Sequence, residues 1–241
     1  MHGAGLSVNA DRRSAPRLWD ADWHVLRALG AALRAALADP ELRPAGARVL
    51  DFGCGTRPYE AWFAQAGALY QGADIEGPNE VRIDHEGRLD ARDAQFDIVA
   101  SFQVLEHVWD VGQYLREAWR VLRADGRLLL STHGAWPYHP HPGDFRRWTA
   151  EGLRREVSAH GFELVHLWPV VGPLAWTTVF RNLGLSRFLR GIPGAGAPLA
   201  AACAIALNCR AWLEDRLTPA SITADNACVY LALFRRGEGA C

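Results

Sequence analysis

The stretch that decides the fold is Val49-Leu50-Asp51-Phe52-Gly53-Cys54-Gly55-Thr56-Arg57-Pro58-Tyr59. An apolar run ends at an acid and is followed by two glycines one residue apart, which predicts a buried strand, a tight turn and the start of a helix. Glycine suits this turn because a side chain would hold the backbone away from a ligand, and because such turns often require a positive φ. The free N–H groups at the helix start would then face the ligand.

The glycine pair alone does not identify that ligand. A dinucleotide-binding fingerprint has a third glycine three residues after the second, and Pro58 occupies that position. Asp51 would repel a pyrophosphate, whereas it suits a ligand that carries a cationic amine. A nicotinamide-dependent oxidoreductase is therefore disfavoured, and a strand–turn–helix corner of another α/β protein remains an alternative for this stretch.

A second acid follows at an informative distance. Residues 68–76 predict a second strand that ends in Asp74 and Glu76, about 20 residues past the glycines. A carboxylate at that distance suits both hydroxyls of a ribose. Asp74 is the first candidate for this role and Glu76 is the second; a solvated acid at a strand end is the alternative.

Two later segments extend the pattern. Residues 96–108 (FDIVASFQVLEHV) predict a fourth strand that runs into a helix start. Residues 116–131 (REAWRVLRADGRLLLS) predict a helix to Arg123, a stop at Asp125-Gly126 and a fifth strand from Arg127. With the glycine turn, these segments resemble three ordered motifs of class I S-adenosylmethionine (SAM) methyltransferases of the small-molecule type. The resemblance covers about residues 47–170.

The resemblance implies an α/β fold with a Rossmann-like, seven-stranded, mostly parallel sheet, helices on both faces and an antiparallel last strand. We expect a single domain over residues 1–241. Its expected parts are an N-terminal lid helix at 17–39, a core at 45–170, a helical insertion on the acceptor side at 172–224 and the final strand at 226–236.

The resemblance also implies SAM as the cofactor. The residues that match the family's cofactor-binding positions are Asp51, Gly53, Gly55, Asp74, Ile75, Asp84, Ser101 and Phe102. One position departs from the family motif, because Arg57 stands where a third glycine is usual.

The loop after the fifth predicted strand, residues 133–149, contains three histidines, three prolines and two arginines. Open α/β sheets bind ligands beyond the carboxyl ends of their strands, so this loop should border the pocket for the methyl acceptor. A hydroxyl acceptor loses its proton as it attacks, and histidine suits that step near neutral pH. We predict His133 as the base, with His107, His139 and His141 as the further candidates.

The same loop supplies the residues predicted to bind the acceptor, which are Trp136, Tyr138, Arg146 and Arg147. An arginine would hold an anionic acceptor, whereas the alternative is an Arg147–Asp144 pair that locks the loop. The histidines and Asp144 could also ligate a metal, but their spacing is poor for ligation, and we predict no metal site.

Composition limits the partners. The net charge is −1, so no global field attracts nucleic acid. The five cysteines lack metal-ligand spacing and residues 1–16 lack the apolar core of a secretory signal, so we expect a cytoplasmic protein. Residues 197–217 are mostly apolar, and for them a pocket roof or a homodimer face is favoured over membrane contact.

These observations predict a SAM-dependent methyltransferase that acts by in-line displacement on a small molecule. The expected acceptor is an oxygen of a sugar or of a phenolic or natural-product intermediate. The alternatives are a nitrogen- or carbon-directed methyltransferase and a non-catalytic subunit or scaffold with the same fold.

Overall fold

A seven-stranded sheet forms the centre of the computed structural model, which describes residues 12–140 and 143–237. The strands are β1 (Arg48–Phe52), β2 (Leu69–Asp74), β3 (Val81–Arg82), β4 (Phe96–Phe102), β5 (Leu122–His133), β6 (Phe162–Val170) and β7 (Val229–Arg236). Their order is β3-β2-β1-β4-β5-β7-β6, and β7 runs antiparallel to both of its neighbours. The predicted fold class is confirmed.

Helices cover both faces of this sheet. They are α1 (Trp23–Leu37), α2 (Glu60–Gln65), α3 (Val111–Val121), α4 (Ala150–Ser158), α5 (Pro173–Arg190), α6 (Gly196–Leu217) and α7 (Ala220–Asp225), with one 3₁₀ turn at Leu105–His107. Successive residues of a strand point to opposite faces. Val49 therefore packs into the layer that contains α1, while the adjacent Leu50 packs into the layer that contains α3.

The junction between α3 and β5 differs from the prediction. Helix α3 ends at Val121, and Leu122 already pairs with Phe96 of β4. Pairing resumes between Ile98 and Arg127, so residues 123–126 form an irregular stretch of the ladder instead of a helix end and stop. Burial of Leu122 in the sheet explains the early helix end, since its side chain is fully buried there.

Helices α5 and α6 form an antiparallel hairpin between β6 and β7. The buried positions of α6 are a row of small residues, Gly196, Ala200, Ala204, Asn208 and Ala211. This row allows close approach: a Cβ added to Gly196 would collide with the carbonyl oxygen of Leu189 on α5.

Two buried asparagines and one main-chain hydrogen bond fix the hairpin to the domain. Asn182 donates to the side-chain oxygen of Asn208 (3.3 Å) and to the carbonyl of Ala21 (3.1 Å). Asn208 donates to the carbonyls of Leu18 and Asp20, both at 2.8 Å. Val171 and Cys228 form the neck of the insertion, where its two ends meet. There the N–H of Cys228 donates to the carbonyl of Val171 (2.8 Å). The segment that leads into α1 is thus tied to the hairpin.

Candidate active site

The turn after β1 has the conformation that its glycines allow. Gly53 has a φ of 89° and Gly55 a φ of 51°. A Cβ on Gly53 would lie 2.5 Å from Cγ2 of Val104, whereas a Cβ on Gly55 would meet no atom within 4 Å. The N–H of Gly55 donates to Oδ2 of Asp74 (2.7 Å). The turn therefore presents bare backbone to a cavity beside the predicted ribose carboxylate.

Arg57 keeps the turn in its left-handed form although it replaces a glycine. Its φ is 57°, and its guanidinium donates to both carboxylate oxygens of Glu80 (2.8 and 2.7 Å). The side chain passes over Gly72, where an added Cβ would lie 3.0 Å from the Arg57 Nε. Arg57 is not among the residues that line the cavity, so its side chain leaves the turn open.

A cavity of about 1070 Å³ lies beyond the carboxyl ends of the strands. On the side of the glycine turn it is lined by five of the predicted cofactor residues, Gly53, Gly55, Asp74, Ile75 and Phe102. Tyr114, which was not among the predicted cofactor residues, also lines this cavity, as do His85, next to the predicted Asp84, and Val25 and Leu29 of the predicted lid helix α1. Only the tertiary structure places Tyr114 at the cavity. Helix α3 packs this side chain against Phe52, and its hydroxyl donates to the Phe52 carbonyl.

Three predicted cofactor residues do not line the cavity. The Asp84 carboxylate accepts the main-chain N–H groups of Glu86 and Arg88 (2.8 and 2.9 Å), so it closes a turn. Ser101 is buried, and its hydroxyl lies 2.8 Å from that of Tyr114. Asp51 is only 2% exposed and lies behind the turn. Asp84 and Ser101 thus lie outside the cavity lining, and their contact with the cofactor stays a prediction.

Asp51 is a buried carboxyl group with one hydrogen-bond partner. The Tyr70 hydroxyl donates to its Oδ2 (2.5 Å), and its Oδ1 has no partner among the described residues. Burial raises the pKa of Asp51 to about 7, against the opposing effect of the Tyr70 hydrogen bond. A cation beside this carboxyl group would favour its charged form.

The other end of the cavity is lined by imidazole and aromatic groups. His107, His133 and His139 all line it, together with Trp136 and Tyr138. His139 packs edge-on against His107 and His133, with ring centroids 4.9 and 5.0 Å apart, and Trp136 stacks on His133 at 5.0 Å. The fourth candidate base, His141, lies outside the described residues.

His133 lies against Glu106, which was not among the predicted catalytic residues. Its Nδ1 lies 2.5 Å from Oε1 of Glu106, and Oε2 of Glu106 accepts the hydroxyl of Thr132 (2.8 Å). Glu106 is fully buried. Burial would raise the pKa of this carboxyl group, but the neighbouring His133 and Thr132 outweigh burial and lower it. The acid in the Leu105-Glu106-His107 segment was the available signal for this pair.

His139 is oriented by its own loop. Its Nδ1 lies 3.1 Å from both the Pro137 carbonyl and Oδ2 of Asp144, and its main-chain N–H donates to Asp144 (2.9 Å). With Nδ1 engaged, Nε2 is the nitrogen left to act on a ligand. Desolvation lowers the pKa of His139, and the nearby His133 lowers it further.

The two arginines predicted to bind the acceptor make hydrogen bonds to their own loop and to neighbouring main chain. Arg147 holds both oxygens of Asp144 (2.5 and 2.7 Å), which is the alternative considered from the sequence. Arg146 donates to the carbonyls of Val108 (2.5 Å) and Trp109 (3.0 Å). Neither arginine lines the cavity, and the guanidinium groups of both are held by the hydrogen bonds just named. Arg187 of α5, which the sequence did not single out, does line it.

Glu106, His133 and His139 are also the one group of potential metal ligands found among the described residues, with ligand atoms within 4.8 Å of one another. Two ligands of one ion with bonds of about 2.0–2.2 Å lie roughly 3 Å apart or more. Glu106 Oε1 and His133 Nδ1 are 2.5 Å apart. As they stand, these two atoms lie closer together than two ligands of one ion would, and neither has a hydrogen-bond partner among the described residues.

Comparison with known proteins gives the family. The sequence profile of a methyltransferase domain matches residues 23–167, more than half of the chain. The chain belongs to this methyltransferase family. The resemblance seen in the sequence is thereby confirmed, together with SAM as the family's cofactor. The glycine turn and Asp74 fit that cofactor, since they present bare backbone and a carboxylate to the cavity.

Individual relatives match in part. A Mycolicibacterium smegmatis protein described as a probable S-adenosylmethionine-dependent methyltransferase is 30% identical over 139 residues, 51% of this chain and 54% of that protein. A Pseudomonas fluorescens ubiquinone biosynthesis O-methyltransferase is 31% identical over 116 residues, 42% of this chain and 50% of that protein. The chain thus spans about half the length of these relatives.

The fold has solved counterparts. The crystal structure of an S-adenosylmethionine-dependent methyltransferase from Mesorhizobium loti matches 90% of this chain and 98% of that one, with a TM-score of 0.52 and 19% identity. At 19% identity this likeness supports the fold and gives no information about the methyl acceptor.

Proposed function

We propose that the protein transfers a methyl group from SAM to a hydroxyl oxygen of a small molecule. The observation that carries this proposal is the convergence of His107, His133 and His139 at the end of the cavity beyond the glycine turn. A hydroxyl must lose its proton as it attacks, and imidazole accepts protons near neutral pH. The name of the ubiquinone biosynthesis O-methyltransferase among the relatives agrees with an oxygen acceptor.

The chain would hold the cofactor with the backbone of Gly53 and Gly55 and with the carboxylate of Asp74, while Phe102 supplies an apolar wall. Bound SAM supplies a methyl group that is already activated on a sulfonium. The remaining work of the protein is to place the acceptor oxygen in line and to take its proton.

His139 is the base that the geometry favours over His133. Both rings line the cavity, but the His133 side chain is only 6% exposed and lies against Glu106, whereas the His139 side chain is 31% exposed. Its lowered pKa keeps the imidazole neutral at pH 7, which a base requires. Asp144, which opposes that lowering, stabilises the imidazolium once the proton has been taken.

The test uses the full chain with SAM labelled with ¹³C in its methyl group and a panel of phenols, catechols and sugar nucleotides. We expect acceptor-dependent release of S-adenosylhomocysteine and a product whose methyl carbon resonates as an O-methyl group. A labelled methyl on nitrogen or carbon, or the absence of SAM binding by calorimetry, would overturn the proposal.

The base is tested separately with His139→Gln. This variant should lower kcat by at least about 100-fold, the lower end for loss of a general base, while the Kd for SAM is unchanged. His160→Gln is the matched control, because His160 lies outside the cavity and its ring contacts the carbonyl of Glu156. Full turnover by His139→Gln would return the role to His133 or His107.

A further inference from the structure

The hairpin of α5 and α6 concentrates the exposed apolar surface of the protein. Sixteen large apolar side chains are exposed among the described residues, and ten of them lie between Leu174 and Ile222. At the tip, Phe188 is 72% exposed and is followed by the exposed Ile192 and Leu199. A concentration of this kind marks an interaction surface, because scattered single residues would be unremarkable.

The outer face of α6 is apolar along most of its length. Of the helices in the described residues, α6 alone is long and apolar enough to cross a membrane, yet only 28% of its apolar window is buried within the protein. Its buried side is the row of small residues against α5. Outside that row, Leu199, Ile205 and Leu213 are exposed, so the solvent-facing side carries the large apolar groups.

The hairpin cannot span a bilayer in this arrangement. Asn208, in the middle of α6, is held by carbonyls of the segment before α1, and α5 carries Arg181, Arg187 and Arg190. An apolar helix face fixed to a soluble domain and flanked by arginines is the pattern of a segment that lies in the membrane interface.

The positive charge of the hairpin favours a membrane surface that is anionic. Residues 173–217, which form the two helices and their connection, contain five arginines and two acids, a charge of +3; since the whole chain is at −1, the remainder carries −4. Arg210 pairs with Glu214, but Arg181, Arg187 and Arg190 have no ion-pair partner among the described residues. An anionic surface would therefore attract this hairpin and repel the rest of the protein.

The cavity lies directly beside this surface. Phe180, Leu183, Gly184 and Arg187 of α5 line the cavity, Phe180 packs edge-on against Trp136, and Arg187 is adjacent to the exposed Phe188. We propose that the α5–α6 hairpin docks the protein onto anionic phospholipid bilayers through its apolar outer face and its unpaired arginines. This inference concerns location and stands whichever atom accepts the methyl group.

The test is sedimentation of the full chain with unilamellar vesicles, either phosphatidylcholine alone or phosphatidylcholine with phosphatidylglycerol. The protein should pellet with the anionic vesicles, much less with the neutral ones, and less as salt is raised. The double variant Arg181→Ser/Arg190→Ser should bind the anionic vesicles about 30-fold more weakly, from about 1 kcal/mol per arginine. Phe188→Ser/Leu199→Ser should reduce binding to both kinds of vesicle.

Controls separate docking from general effects. Leu69→Ser removes an equally exposed apolar side chain from β2, and Arg92→Ser removes an exposed arginine outside the hairpin; both should bind vesicles like the unaltered chain. Equal binding to both vesicle types, or unchanged binding by the hairpin variants, would overturn the proposal. So would a dimer in sedimentation velocity that Phe188→Ser/Leu199→Ser dissociates without any vesicle binding, since the face would then join two copies of the chain. SAM titration of the same variants shows independently whether the cofactor site is intact.

Discussion

The substitution Asp51→Asn should remove a pH-dependent loss of folding stability. In the folded protein burial raises the pKa of Asp51 from 3.8 to about 7, so the carboxyl group stays neutral in the fold at pH values where it is ionised in the unfolded chain. Its contribution to stability is fully present below pH 3.8 and is lost as the pH rises towards 7. A shift of about three pH units corresponds to about 4 kcal/mol.

Urea unfolding between pH 4 and 8 measures this effect. Asparagine cannot ionise, so the stability of Asp51→Asn relative to the unaltered chain should improve by about 1.4 kcal/mol per pH unit between about pH 4 and pH 7, to a total of about 4 kcal/mol, and should level off above pH 7. Taking the difference between the two proteins cancels the titration of all other groups. The Tyr70 hydrogen bond opposes the raised pKa, so Tyr70→Phe should extend the loss of stability to higher pH.

A stability difference between Asp51→Asn and the unaltered chain that does not change with pH would show that the carboxyl group is not buried in the neutral form. Repeating the series at saturating SAM tests the predicted link to the cofactor's cationic amine. SAM should move the loss of stability to lower pH, because a nearby cation favours the carboxylate.

Three further changes test the cofactor turn and the loop. Asp74→Ala should weaken SAM binding in calorimetry by roughly 10- to 100-fold, the value of a charged hydrogen bond, with only a small fall in melting temperature from the lost Gly55 hydrogen bond; unchanged affinity would pass the ribose role to Glu76. Gly53→Ala should lower the melting temperature and abolish SAM binding because its methyl would lie 2.5 Å from Val104, and adding Val104→Ala should restore stability in part, leaving about 1–2 kcal/mol of strain from the positive φ. Asp144→Asn should destabilise the protein by about 1.5–3 kcal/mol at pH 7. Arg147 holds the pKa of Asp144 well below its usual range, so this loss should shrink as the pH falls below about 4; a constant loss would refute the ion pair as its cause.

The sequence could predict the β1 turn because its determinants are local. A run of buried residues, an acid and two glycines specify a strand and a left-handed turn within seven residues, and the structure has both. The three motifs in their order then predicted the sheet topology, because they resemble those of a known family. The junction at Leu122 was missed because pairing with Phe96, a contact between distant residues, overrides the local stop signal of Asp125-Gly126.

The side-chain pairs of the site were harder to foresee because each depends on where a strand end meets a loop. Glu106 and His133 are 27 positions apart and meet because β5 ends beside the 3₁₀ turn. The Asp144–Arg147 pair was among the alternatives, since it needs only three residues of spacing. Successive residues at the end of β4 point to opposite faces of the sheet, and Ser101 lies on the face that carries Tyr114.

The neck of the α5–α6 insertion has an evolutionary meaning. Its two ends meet where Val170 pairs with Val229 and where Cys228 donates to the Val171 carbonyl, so the sheet closes whatever lies between them. A segment whose ends lie side by side at a sheet edge can be lengthened, shortened or exchanged without disturbing the strands. The cofactor half of the cavity sits on β1, β2 and β4, remote in sequence from this neck. Exchange of the insertion would therefore alter the α5 wall of the cavity and the proposed docking surface together, while the residues that hold the methyl donor stay as they are.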